Sequence, residues 1–225
     1  MGKRQDTRER IEAQIIELGR RHLVTEGAAG LSLRAIARDL GMVSSAVYRY
    51  VASRDELLTL LLVDAYTELA DAVDAAGATH ATWRDRLHAM AHAAREWAVA
   101  HPARWALLYG SPVPGYRAPA ERTVGPGTRV VGALFDAVGA GIDAGEISKT
   151  EVVVPQPLSS DYDGVREEFD FSGDDSAVAK CFLLWAGLIG AISLEVFGQY
   201  GEDTLTDPAE AFDVQVKLLI EMLIK

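Results

Sequence analysis

Residues 30–50 constrain this chain more than any other stretch. They read Gly-Leu-Ser-Leu-Arg-Ala-Ile-Ala-Arg-Asp-Leu-Gly-Met-Val-Ser-Ser-Ala-Val-Tyr-Arg-Tyr. Ser32 stands where an N-cap is wanted, ahead of a short helix from Leu33 to Leu40. Gly41 ends that helix as a C′ glycine. Ser44 or Ser45 then opens a third short helix carrying Tyr48 to Tyr50. Ile36, Ala37 and Leu40 are apolar on the first of the pair, Val47 and Val51 on the second, and Ala37 is small where the two should cross. Two short helices joined by a three-to-four-residue turn with a glycine form a helix-turn-helix. The second helix of such a pair fits a DNA major groove and turns its N-terminal residues to the base edges.

The rest of the chain reads as helix. Ile11, Ile15, Leu18, His22 and Leu23 recur at helical spacing, predicting a first helix over about 7–26, broken by Gly27 and Gly30. Ser53 with Glu56 three residues on forms a capping box that starts a long helix to about Ala76. Its apolar stripe includes Leu57, Leu58, Leu61, Leu62, Ala65, Leu69 and Val73. Further helices are predicted at about 82–100, 102–110, 119–142, 175–199 and 208–224, punctuated by Gly77, His101-Pro102 and Ser111–Gly115. Residues 143–173 are acidic and rich in Ser and Gly, with only Lys149 and Arg166 as basic residues; a disordered segment or mobile flap is expected there. The fold class is all-α, with one domain over about 1–52 and a second over 53–225.

Charge supports the division. The chain of 225 residues carries 22 basic and 33 acidic side chains, a net charge of −11. Residues 1–54 hold 10 basic and 6 acidic residues, a net of +4, which leaves −15 for the remainder. A basic head on an acidic body is an electrostatic footprint for nucleic acid. The longest charge-free run, 181–194, is 14 residues, shorter than the roughly 20 that a spanning helix takes, so no membrane partner is expected. Residues 1–10 contain no apolar stretch that could act as a signal peptide, so none is expected, and a single cysteine, Cys181, excludes an internal disulfide. A soluble, cytoplasmic protein is the expectation.

Over about residues 7–62 the sequence resembles the DNA-binding domain of TetR-type transcriptional regulators. The resemblance rests on Gly30-Leu-Ser-Leu-Arg-Ala-Ile-Ala-Arg-Asp-Leu-Gly41 and Tyr48-Arg-Tyr-Val-Ala-Ser-Arg-Asp-Glu-Leu-Leu58. Val51 stands where many members have Phe, and Arg54 where many have Lys; both keep the chemical character. The resemblance implies double-stranded operator DNA as partner. Ser32 at a helix N-terminus, with Tyr48, Tyr50 and Arg54, would hold the backbone. Arg34, Ser44, Ser45 and Ala46 would face bases, Arg34 alone being able to bind guanine through two hydrogen bonds. Each role has a plain alternative: Ser32 and Ser44 as helix caps, Tyr48 as packing.

His101–Tyr116 resembles a C-terminal subgroup of the same family named for a Trp-His-Gly motif, although Trp185-Ala186-Gly187 lacks the histidine. The resemblance implies a small-molecule effector and a homodimer. The sequence adds its own reasons. The helix over 181–194 has no charge on any face and must be buried all round, one side against the domain and the other against a second subunit. Ala186, Gly187, Gly190 and Ala191 permit close helix approach, and Phe212, Val216, Leu219, Ile220 and Leu223 give the last helix an apolar face. The dimer is expected through these last two helices. Trp97, Trp105, Tyr109, Phe135 and Trp185 are candidate effector contacts, with Tyr66 and Arg129 as polar anchors; core packing is the alternative for each.

Catalytic chemistry finds no support. His88 and His92 lie four apart on a helix, but no acidic or cysteine partner lies at a recognisable spacing, so no metal is expected. Cys181 in an apolar helix is inert. Gly139-Ala-Gly141-Ile-Asp-Ala-Gly145 has its third glycine one place late and no strand before it, so no dinucleotide cofactor follows. The expected function is a ligand-responsive repressor on a palindromic operator, without cofactor. An activator and a sequence-indifferent DNA binder are the alternatives.

Overall fold

The computed structural model describes residues 3–148 and 150–224 and contains ten helices and no strand among them. They are α1 (Lys3–Gly30), α2 (Leu33–Asp39), α3 (Ser44–Val47), α4 (Arg54–Gly77), α5 (Trp83–Ala100), α6 (Pro102–Tyr109), α7 (Ala120–Asp143), α8 (Leu158–Glu168), α9 (Asp175–Val196) and α10 (Pro208–Ile224). Contacts divide them into two compact units, Met1–Glu68 with His101–Gly127, and Leu69–Ala100 with Thr128–Lys225.

The first unit closes over one apolar cluster. Ile15, Leu18 and Leu23 of α1 meet Leu33, Ile36 and Ala37 of α2, Val47 and Val51 beyond the turn, and Leu57, Leu58 and Leu61 of α4, all buried. Val51 is fully enclosed, so an aliphatic residue fills this corner of the head. Gly27 adopts φ 66° and ψ 173°, non-helical values that kink the chain, so the first helix breaks at this glycine as expected and a short further turn completes α1 to Gly30. A charged lattice binds the far side of the unit. Arg20 donates to both carboxylate oxygens of Asp64, and the buried Arg104 of α6 donates to Asp64 at 3.2 Å and to both oxygens of Glu68 at 2.8 Å.

The second unit is built on α9, which packs against α5, α8 and α10. Leu184, Leu188 and Ile192 form its inner stripe, facing a core that includes Leu87 and Met90 of α5, Leu134 and Val138 of α7, and Phe212, Val216 and Ile220 of α10. Lys180 is buried and donates to the Ser148 and Leu223 carbonyls, tying the end of α10 to the segment before α8.

Four expectations change. Residues 158–168 form an ordered helix rather than a disordered stretch. Tyr162 and Phe171 are buried, and Phe135 stacks on Phe169 at 4.9 Å while meeting Phe171 edge-on at 4.9 Å and Phe182 at 6.3 Å. The acidic residues Asp161, Asp163, Glu167 and Glu168 all lie on the exposed side of α8, and Arg166 pairs with Asp175, so the charge is solvated without preventing folding. Lys149 lies outside the described residues. The capping box is half made: Ser53 Oγ accepts from the Glu56 N–H at 3.0 Å, but the Glu56 carboxylate is taken by Arg122 at 2.7 Å. α3 ends at Val47, and Tyr48 to Tyr50 lie on the turn that follows, where Arg49 and Tyr50 donate back three residues to Ala46 and Val47. Lastly, α9 extends over 22 residues, long and apolar enough by length and composition to cross a membrane, where the 14-residue charge-free run is expected to fall short; in the single chain one side of it is exposed, as the expected subunit contact requires. Leu183 and Leu194 are 55% and 43% exposed, and Ala186 and Gly190 continue that stripe between them.

Candidate nucleic-acid interface

Ser32 precedes α2 with extended backbone, and its hydroxyl accepts from the Ala35 N–H at 3.5 Å, a long N-cap bond. Leu33, Ile36 and Ala37 bury the inner face of α2, which leaves Arg34 in the first turn exposed. The Gly41 N–H donates to Arg38 O and the Met42 N–H to Ala37 O, closing the helix end, with Gly41 at φ 67°. That reversal delivers Val43 to the N-cap position of α3 without a side-chain cap bond. Ser44 does not act as a cap, therefore, and both Ser44 and Ser45 stand exposed in the first turn. Ala46 is half-buried and Val47 fully buried, so one face of this short helix is anchored while the other presents hydroxyls.

The tyrosines divide. Tyr48 is 45% exposed, whereas Tyr50 packs against the apolar cluster of the head. Arg54 is half-buried, and its Nη2 donates to the Ala28 and Ala29 carbonyls at 2.9 and 3.1 Å. Its guanidinium thus satisfies carbonyls at the end of α1, the role a cation plays at a helix C-terminus. His22 reaches Asp39 at 2.7 Å and links α1 to the end of α2. Sequence patterning did not single out Val43. It is 72% exposed immediately before α3, an apolar tip beside two hydroxyls, of the kind that contacts thymine methyl groups. The only sequence signal for it was its place between the C′ glycine and the serines.

The candidate effector residues fall into separate groups. In the first unit, Trp105 lies 4.4 Å from Tyr109, and Tyr109 meets Tyr66 edge-on at 6.5 Å. Burial pushes both phenols above their ordinary range, so they stay neutral. Phe135 belongs to the phenylalanine cluster in the second unit, and Trp97 is buried on α5. Arg129 is turned to Asp71 and Asp74 at 2.8 and 2.6 Å. Of the seven, Trp185 lines a narrow cavity of about 30 Å³ together with Val73, Leu87, Met90, Ala94, Leu134 and Ile189. Cys181 is fully buried and its thiol is pushed up to about 12 by burial, which keeps it neutral.

The comparisons agree with this geometry. Residues 15–61 match the family described as bacterial regulatory proteins, tetR family, and residues 87–219 match the tetracyclin repressor-like C-terminal domain. The HTH-type transcriptional regulator Rv1816 of Mycobacterium tuberculosis is 67% identical over 225 residues, spanning 99% of this chain and 96% of that protein. Mb1846 of Mycobacterium bovis matches to the same extent. Among solved structures, the regulatory protein SCO4313 superposes with a TM-score of 0.80 at 34% identity, over 98% of this chain and 100% of that one. FadR of Bacillus subtilis, solved with stearoyl-CoA, shares the fold with a TM-score of 0.66 at 13% identity, over 92% of this chain and 97% of its own.

Proposed function

The chain belongs to the TetR family of transcriptional regulators, with a helix-turn-helix DNA-binding domain, and from that premise we propose that it is an effector-responsive repressor binding a palindromic operator as a homodimer. Residues 1–52 serve as the DNA-binding domain and residues 53–225 as the effector-binding and dimerisation domain. The observation that carries the reading is the buried anchoring of Val47 and Val51 beneath the exposed Ser44, Ser45 and Tyr48, with Arg34 free on the preceding helix. Rigid support under a polar turn is what base readout in the major groove needs. Arg34, Ser44, Ser45 and Ala46 read bases; Ser32, Tyr48 and Tyr50 position the backbone; Arg54 acts by holding the end of α1.

The dimer is read from α9 and α10. Leu183 and Leu194 on the first, and Val214 and Leu218 on the second, are each more than 40% exposed. Of these, Leu194 and Leu218 line a shallow groove of about 420 Å³ together with Ala186, Gly187, Gly190 and Ala191. A second copy of the same face buries this apolar patch, and twofold symmetry matches the symmetry of paired half-sites. The effector enters the second unit beside Trp185, where the narrow cavity must widen to admit it. It acts by favouring a state in which α4 tilts and the spacing of the two recognition helices changes, through differential affinity for the two states.

Fluorescence anisotropy tests the reading, with DNA from immediately upstream of this protein's own gene, at about 0.15 M salt and with an unrelated duplex as competitor. Tight binding that survives the competitor is expected. Equal competition by the unrelated duplex would sink the operator reading and favour a sequence-indifferent binder.

A further inference from the structure

Chain topology brings together a cluster that no sequence spacing announces. His88 and His92 lie one turn apart on α5, and Asp213 arrives from α10. Asp213 Oδ1 is 2.6 Å from His88 Nε2 and 3.3 Å from His92 Nε2, and the three atoms all lie within 4.8 Å of one another. Ligand atoms about 2.0–2.2 Å from a tetrahedral ion stand roughly 3.3 Å apart, within the span of this cluster. All three residues are partly buried, and the Phe212 ring, itself buried, lies edge-on to His92 at 5.4 Å and limits how that imidazole turns.

We infer that His88, His92 and Asp213 form a site for one divalent transition-metal ion of the zinc class, joining α5 to α10. Two imidazoles and one carboxylate suit zinc, cobalt or nickel rather than calcium or magnesium, which prefer oxygen throughout. Three protein ligands leave the fourth position to water. The other carboxylate oxygen, Oδ2, is held by Lys217 at 2.5 Å, which fixes Oδ1 toward the histidines as an outer-shell partner does. The two nearby cations do not close the site. Arg95 is neutralised by Glu195, and the Lys217 side chain is 63% exposed, so solvent screens its charge.

The test is a calorimetric titration of the chelator-stripped full-length chain with zinc chloride, paired with the visible absorption of cobalt as a report of coordination. One ion per chain is expected, undisturbed by excess magnesium, with a rise in Tm because the ion bridges two helices. Asp213→Asn, checked for folding by circular dichroism, should weaken zinc binding by more than the about 10–100-fold that outer-shell changes cost. Lys217→Met keeps all three ligands but removes the partner that orients Asp213, and should weaken binding by about 10–100-fold, less than Asp213→Asn does. Absence of saturable binding to the unaltered chain would overturn the inference, as would wild-type zinc affinity in folded Asp213→Asn.

Discussion

Arg34 and Tyr48 are exposed side chains on either side of the same glycine turn, and their chemistry separates what each contributes. A guanidinium can read guanine with two hydrogen bonds, whereas a phenol offers one group to a phosphate oxygen. Arg34→Ala should therefore relax preference at one base pair, worth about 1–3 kcal/mol, while Tyr48→Ala weakens binding evenly across sequences. Anisotropy against a panel of single-base operator variants distinguishes them, and a uniform loss for Arg34→Ala would remove its base-reading role. These residues were legible because their positions follow from a glycine, a cap and a periodicity. Arg54 was only partly so. Its charge was evident, but its use by two carbonyls of α1 depends on where a helix ends 25 residues earlier. His88 and His92 show the same limit more sharply, because their carboxylate lies 121 residues beyond the second of them.

Helix by helix, the periodic segments read well and the acidic one did not. Apolar periodicity and the Gly and Pro residues between segments placed α4, α5, α7, α9 and α10 to within a few residues. α8 has no such stripe. Its order comes from tertiary neighbours: the stack of Phe169 on Phe135, and Tyr162 at 5.8 Å from Phe182. A composition rich in Asp and Glu hides a helix whose acidic side chains all face water. Phe135 is the hub of that cluster and is 1% exposed. Phe135→Ala should cost about 3–5 kcal/mol. It should also raise hydrogen exchange in α8 before it does so in α5, and equal effects on both helices would show that α8 does not depend on the cluster.

At the scale of the whole molecule, the proposed dimer ties the exposed leucine face of α9 and α10 to the charge division. The net +4 of residues 1–54 is modest, so in the proposed dimer two heads held at a fixed separation would gain by acting together. Leu218→Glu places a carboxylate on a face where Leu218 is 59% exposed in one chain, so it should leave the fold intact. Analytical ultracentrifugation should then show a monomer, and operator affinity should fall by at least about 100-fold, the low end of the gain that linking two sites supplies. A Leu218→Glu chain that sediments as a dimer would move the interface elsewhere.

The placement of the four tryptophans has an optical consequence. Trp83, Trp97 and Trp185 belong to the second unit, while Trp105, fully enclosed beside Tyr109, lies in the first. Subtracting the emission of a Trp105→Phe chain from that of the unaltered chain isolates a reporter of one unit, and the variant's own emission reports on the other three, in its neighbour. A single thermogram recorded at both signals then reveals whether the two halves lose their structure together or in turn. The helices that hold the indoles thus provide, without any added dye, a way of watching how far a disturbance in one half is felt in the other.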